Sequence, residues 1–248
     1  MIYLLRHGET VWNTLGRFQG QLDSPLTRLG VAQADAVAHL LGAEIGEDVQ
    51  SIEMHVSPLG RTRETAERVQ RVLPLARRED ARLMEVSVGC WDGMTKFEID
   101  MEYPGLLDGS DVFDWYFRSP DGESFDAACA RAKSWLADIR RPTVAISHGL
   151  FGRLLRGVYA GLSRREMLEL PVPQDGFYRL SDGAFNLVTV STGRQLASAI
   201  GSRNSCAPPG RRCVAGRFYR SRAKIWPVRS LPKLWCCSSS ISAKPAFS

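Results

Sequence analysis

The sequence predicts an α/β fold: a three-layer α/β/α sandwich with a mostly parallel central sheet and a small helical and loop cap. Two observations carry this. Short apolar runs, each too brief for a helix, alternate with longer segments whose apolar residues recur at helical spacing, and that alternation is the pattern of strands crossed over by helices. One stretch, residues 95–122, fits neither pattern; it is aromatic and acidic and broken by Pro104, Gly105, Gly109 and Pro120, as a cap would be.

In chain order, Ile2 to Leu5 is an apolar run of the kind a buried strand presents, and it ends abruptly in Arg6-His7-Gly8-Glu9-Thr10. Residues 8–26 read as a loop, with Gly8, Gly16, Gly20 and Pro25. Thr27 suits an N-cap for a helix through about Leu41, with Leu29, Ala32, Ala36, Val37, Leu40 and Leu41 as its apolar face. Ile52 to Val56 is a second strand, and Ser57-Pro58 opens a helix to about Leu73 that packs Thr65, Ala66, Val69 and Val72 on the sheet. Arg77 to Leu83 reads as an edge strand and Met84 to Met94 as a loop. After the cap, Glu123 to Ile139 is a helix, Thr143 to Ser147 a third inner strand, and Gly149 to Tyr159 a helix behind it. Phe177 to Leu180 and Phe185 to Val190 close the sheet, joined at Ser181-Asp182-Gly183.

From about Arg194 the periodicity fails. Residues 194–248 read as a basic, Ser/Pro/Arg-rich and poorly ordered tail, set apart from a domain at 1–193; a shifted reading frame or an appended extension would each account for it. The formal charge of +5 belongs to this tail, which from Gly201 onward holds ten Lys and Arg and no acid. Residues 1–200 carry 22 basic against 27 acidic residues, so the body is mildly acidic. A tail of this kind could touch nucleic acid or acidic lipid, but without a regular pattern nucleic acid is not an expected partner. Cys206, Cys213, Cys236 and Cys237 lie in the tail; the body has only Cys90 and Cys129, which give neither a disulfide framework nor metal-ligand spacing. No apolar stretch reaches membrane-span length. A cleaved leader would remove residue 7 with it, so a cytoplasmic protein with no membrane partner is expected. The oligomeric state is not readable.

The residues after the first strand carry chemistry. An open α/β sheet delivers polar groups beyond the carboxyl ends of its strands. There, His7 is a possible nucleophile, and Arg6 offers a permanently charged donor fork suited to phosphate. The string Arg6-His7-Gly8-Glu9-Thr10, continued by Trp12-Asn13, Gly16-Arg17-Phe18-Gln19-Gly20, Asp23-Ser24-Pro25-Leu26-Thr27 and Gly30, resembles the signature of the histidine phosphatase superfamily, the phosphoglycerate-mutase-like enzymes. Four later stretches extend the resemblance over roughly residues 1–190. Ser57 to Ala66 places the family's second-motif arginine on Arg61. Leu83-Met84-Glu85, followed by Gly89 to Gly93, places the acid/base carboxylate on Glu85, with Glu79, Asp80 and Asp92 as neighbouring competitors. Gly122-Glu123-Ser124 and Ser147-His148-Gly149 complete it, the latter bearing the second histidine. Leu150 stands where a second glycine is common, and Asp92 where Glu is commoner; Arg153 falls on the expected later arginine.

The resemblance implies catalysis by His7, Glu85, Arg6, Arg61 and His148, with Asn13, Gln19, Gly20 and Gly149 joining Arg6, Arg61 and His148 in binding substrate. It implies no metal and no cofactor, because arginines and imidazoles supply the positive charge. His39 and His55 are expected to be structural. The implied activity is hydrolysis of a small phosphomonoester through a phosphohistidine on His7, with Glu85 as general acid and base. A sugar phosphate or a nucleoside-like phosphate such as ribazole phosphate would suit. The cap is short and acidic (Glu98, Asp100, Glu102, Asp108, Asp111 and Asp114), which argues for a phosphatase over a phosphoglycerate mutase primed by bisphosphoglycerate. A non-catalytic phosphate-binding or interaction protein is the third reading.

Overall fold

A computed structural model describes residues 1–110 and 113–190. The six strands are β1 (Ile2–Arg6), β2 (Glu53–Val56), β3 (Arg77–Glu79), β4 (Thr143–Ser147), β5 (Gly176–Ser181) and β6 (Ala184–Thr189). They form one sheet in the order β3-β2-β4-β1-β5-β6. The pairs β2–β3, β2–β4 and β1–β4 are parallel, whereas β1–β5 and β5–β6 are antiparallel. The α/β class and the mostly parallel sheet therefore hold. The β5–β6 hairpin turns at Asp182 and Gly183, both at positive φ (52° and 74°), the conformation that a two-residue turn matched to strand twist requires.

The inner strands β1 and β4 read as apolar runs because both faces are covered. Tyr3, Leu5, Met54, Val56, Val144 and Ile146 face one layer, made by α2 (Arg28–Ile45) and α3 (Gly60–Val72). Ile2, Leu4 and Ala145 face the other, made by α5 (Phe125–Asp138) and α6 (Gly149–Ala160). Thr27 caps α2 by accepting from the Gly30 amide, as expected. That helix runs one turn beyond Leu41, to Ile45, and its buried stripe is Gly30, Ala34, Val37, Ala38, Leu41 and Ile45. Leu29, placed on the apolar face by its hydrophobicity, is 55% exposed. Ser124 caps α5 through the Ala127 amide.

The edge strand expected over 77–83 stops at Glu79, because Asp80 accepts from the Arg82 amide and starts a 3-10 turn at Ala81–Leu83. Two short helices escaped the periodicity reading, being too brief to show a repeat: α1 (Val11–Thr14) inside the first loop and α7 (Arg164–Glu169) after α6. In the cap, α4 (Lys96–Glu102) begins at a Thr95–Glu98 capping box, and a 3-10 turn covers Asp114–Arg118. Trp91, Ile99, Leu107 and Trp115 form its own small core, with Phe18 packed against them. The tail assigned to 194–248 and the cap acid Asp111 lie outside the described residues. Among the described residues no helix is long and apolar enough to cross a membrane.

Candidate active site

The site follows from one register. Parallel pairing sets Arg6 opposite Ser147, so the residues that leave β1 and β4, His7 and His148, emerge side by side at the carboxyl end of the sheet. The His7 amide donates to the Ser147 carbonyl (3.1 Å), and the two imidazole centroids lie 5.3 Å apart. Both rings are buried. Burial holds each well below the usual imidazole range; the nearby guanidinium groups of Arg6 and Arg61 add to this, so both are neutral. His7 Nδ1 lies 2.8 Å from the Gly8 carbonyl, which can only accept. Nδ1 is therefore the protonated nitrogen, and Nε2 keeps its lone pair.

The loop carrying His7 is clamped to the start of α2. A Cβ on Gly8 would meet the Gly30 carbonyl oxygen at 2.2 Å, and one on Gly30 would meet the Glu9 oxygen at 2.0 Å, so neither position has room for a side chain. The Thr27 hydroxyl donates to the Glu9 carboxylate (2.8 Å), and the Glu9 amide donates to Gln33 Oε1 (2.9 Å). From the opposite side the Gly8 amide donates to Thr65 of α3 (3.2 Å).

Beyond His7 opens a cavity of about 330 Å³. Of the expected site residues, Arg6, His7, Asn13, Gln19, Gly20, Arg61, Glu85 and Gly149 line it. His148 does not reach that wall; it lies alongside His7, with Nε2 2.7 Å from the Ser57 hydroxyl. Arg61 is buried and braces the neighbouring loop, donating to the carbonyls of Gly20 (2.8 Å) and Leu22 (2.6 Å) and to Asp23 (2.9 Å). Burial lowers the pKa of both Arg6 and Arg61, partly offset by Glu85.

Glu85 caps α6. Its carboxyl oxygens accept from the amides of Leu150 (3.2 Å) and Phe151 (2.8 Å) at the N-terminal end of that helix. Two of the first amides of α6 are thereby taken up by Glu85. Arg131 steadies the same stretch by donating to the carbonyls of Arg82 and Met84 (both 2.8 Å). The competing acids are engaged elsewhere. Glu79 pairs with Arg63, Asp80 pairs with Arg82, and Asp92, which burial pushes up to about 6, lies beneath Gly20 outside the cavity wall.

Several participants carried no sequence signal. The segment after α7, Leu170-Pro171-Val172, offers consecutive carbonyls to three arginines: Leu170 to Arg153 Nε (2.6 Å), Pro171 to Arg156 (2.6 Å) and Val172 to Arg6 (2.7 Å). Gln174 then donates to the His7 carbonyl (3.1 Å). Two prolines without amide hydrogens make this run acceptor-rich, but nothing local announces which arginines it meets. From the cap, Phe113 and Tyr116 reach the cavity, and burial beside Glu85 pushes the Tyr116 phenol up to about 12. None of the described cap acids lines the cavity; Glu98 pairs with Arg17 and Asp114 with Arg118 and Arg164. Glu98 thereby places an acid of the cap against Arg17, which itself lines the cavity. His55 is structural as expected, 3.2 Å from Glu53 and edge-on to Trp135.

Glucosyl-3-phosphoglycerate phosphatase of Mycobacterium tuberculosis is 34% identical over 185 residues, covering 69% of this chain and 76% of that protein. A probable phosphoglycerate mutase of Photorhabdus laumondii is 35% identical over 171 residues, covering 65% and 75%. The solved structure of a mycobacterial glucosyl-3-phosphoglycerate phosphatase with inorganic phosphate aligns with a TM-score of 0.60 at 28% identity, over 76% of this chain and 95% of that one. The family model for the histidine phosphatase superfamily (branch 1) matches residues 2–189, and the chain belongs to that superfamily.

Proposed function

We propose that the protein hydrolyses a small phosphomonoester through a phosphohistidine on His7. The observation that carries this is the fixed tautomer of His7: Nδ1–H held by the Gly8 carbonyl, Nε2 left basic, and Arg6, Arg61 and Glu85 around the same cavity. In the first step Nε2 attacks phosphorus while the bond to the leaving oxygen breaks, and protonated Glu85 gives its proton to that oxygen. In the second, Glu85 takes a proton from water, the water oxygen attacks phosphorus, and the P–N bond breaks to release phosphate and restore His7. Arg6 and Arg61 hold the phosphoryl oxygens as charge builds on them. His148 is a neutral neighbour that adds hydrogen-bonding capacity. Asn13, Gln19, Gly20 and Gly149 shape the wall.

The test is phosphate release from a panel of phosphomonoesters, with glucosyl-3-phosphoglycerate and both phosphoglycerates included, the latter with and without a bisphosphoglycerate primer. Release that falls at least ~1,000-fold in His7→Ala, with inorganic phosphate still bound, is the expected result. Primer-dependent isomerisation with little release would replace hydrolysis by mutase chemistry. Turnover of nothing in the panel would leave a binding protein.

A further inference from the structure

Glu85 stands on a loop between the 3-10 turns Ala81–Leu83 and Gly89–Trp91, with no strand or helix of its own to fix it. A proton donor on a loop needs support from elsewhere, because a displacement of about 1 Å already slows a reaction heavily. That support comes from Gly122-Glu123-Ser124 and the helix these residues start, α5. The Glu123 amide donates to the carbonyl of Ser87 (2.8 Å), just beyond Glu85. Gly122 lies against the same carbonyl, where a Cβ would come within 3.0 Å of the oxygen. Further along α5, Arg131 takes the other side. Its Nη1 donates to the carbonyls of Arg82 and Met84, while Nε and Nη2 form a fork on the Glu123 carboxylate (2.9 and 2.7 Å). Four of its five N–H groups are thus engaged. The pair is largely buried, its side chains 17% and 16% exposed. The same guanidinium lies 4.1 Å from the ring centre of Phe151, whose amide donates to Glu85.

We propose that Glu123 and Arg131 are a positioning pair for the proton donor: they hold the loop on both sides of Glu85, so that its carboxyl group meets the leaving oxygen. This rests on the hydrolase reading above. It gives Glu123 and Arg131 a part in the reaction although neither lines the cavity. The planar fork is what the place demands. One edge meets the carboxylate, and the adjacent nitrogen reaches two carbonyls at once, an arrangement that a lysine ammonium cannot reproduce. A pair that acts through Glu85 matters only where a proton must move. An alkoxide leaving group needs that proton, whereas p-nitrophenolate is stable enough to leave without it. The leaving group therefore separates positioning of the acid from support of the fold.

The experiment measures kcat/KM for p-nitrophenyl phosphate and for the best alkyl phosphate of the panel above. It uses the full chain and its variants Arg131→Gln, Arg131→Lys, Glu123→Gln and Glu85→Gln. This ratio reports transfer to His7, the step in which Glu85 gives up its proton. Glu85→Gln sets the scale: the alkyl ester is expected to lose on the order of 100-fold more than the aryl ester. Arg131→Gln should show the same bias, at least ~10-fold, with the aryl ester within about threefold of the unaltered protein. Glu123→Gln and Arg131→Lys should show it in smaller measure. Equal losses for both esters would make the pair a support of the fold, or Arg131 a charge acting on His148, and would overturn the proposal. So would variants that lose nothing with either ester. If Arg131→Gln does not fold, Glu123→Gln and Arg131→Lys decide. Failure of the underlying reading looks different: either Glu85→Gln itself loses both esters equally, or the unaltered protein turns over neither, and the proposal falls with it.

Discussion

His7 and His148 are two uncharged bases packed 5.3 Å apart with two guanidinium groups close by. Protonating either would bury a third charge of the same sign. In the unfolded chain both titrate near 6.5. As pH falls through 6.5 toward the lowered native values, the unfolded state therefore binds more protons than the folded one, and stability is lost. Above 6.5 the two states bind equally and the contribution is complete. We expect the unfolding free energy from urea titration to fall between pH 6.5 and 5, and that slope to flatten in the His7→Asn, His148→Asn double variant. A slope unchanged by the double variant would show that other groups drive it. The same depression means that turnover should not collapse on an imidazole titration near 6.5, because His7 is already unprotonated there.

Among the elements, the contact between the His7 loop and the first turn of α2 is the tightest. Gly8→Ala would drive a methyl against the Gly30 carbonyl, and backbone at 2.2 Å has no rotamer by which to yield. The expected cost is about 2 kcal/mol or more in stability. A displacement of His7 by even 1 Å should lower kcat on the order of 100-fold. Unfolding by denaturant together with kcat measures both, and an Ala variant with native stability and turnover would show that α2 can slide. This contact also marks where sequence reasoning stops. Arg6, His7, Arg61, Glu85 and Gly149 were readable because the chemistry demands particular residue types at strand and helix ends, and a short motif records them. The inner strands β1 and β4 were readable because burial on both faces favours apolar residues. Tyr116, Gln174 and the carbonyls of Leu170 to Val172 meet the site through contacts across the fold, and no local pattern encodes them. Leu29 misled for the complementary reason: helical spacing shows that a stripe exists, but the neighbours decide where it faces.

For the whole molecule, the family match ends at residue 189, and among the described residues every one lining the cavity precedes 173. A chain ending at 193 is therefore expected to keep kcat and KM within about twofold of the full chain for the best ester, that being the margin within which no transition-state contact is lost. A larger loss would assign residues 194–248 a part in the site. The strand order has a further consequence, and it concerns synthesis. His7, the proposed nucleophile, directly follows β1, yet β1 hydrogen-bonds to residues 143–147 on one side and 177–180 on the other. β1 is thus made well before it can be paired, because both its neighbours lie far downstream of it. Until then Ile2 to Leu5 is an unsatisfied apolar strand, the kind of segment that recruits chaperones or pairs with the wrong edge. His7 meanwhile has neither its carbonyl clamp at Ser147 nor His148 beside it. A growing chain should have no phosphatase activity until β5 has emerged.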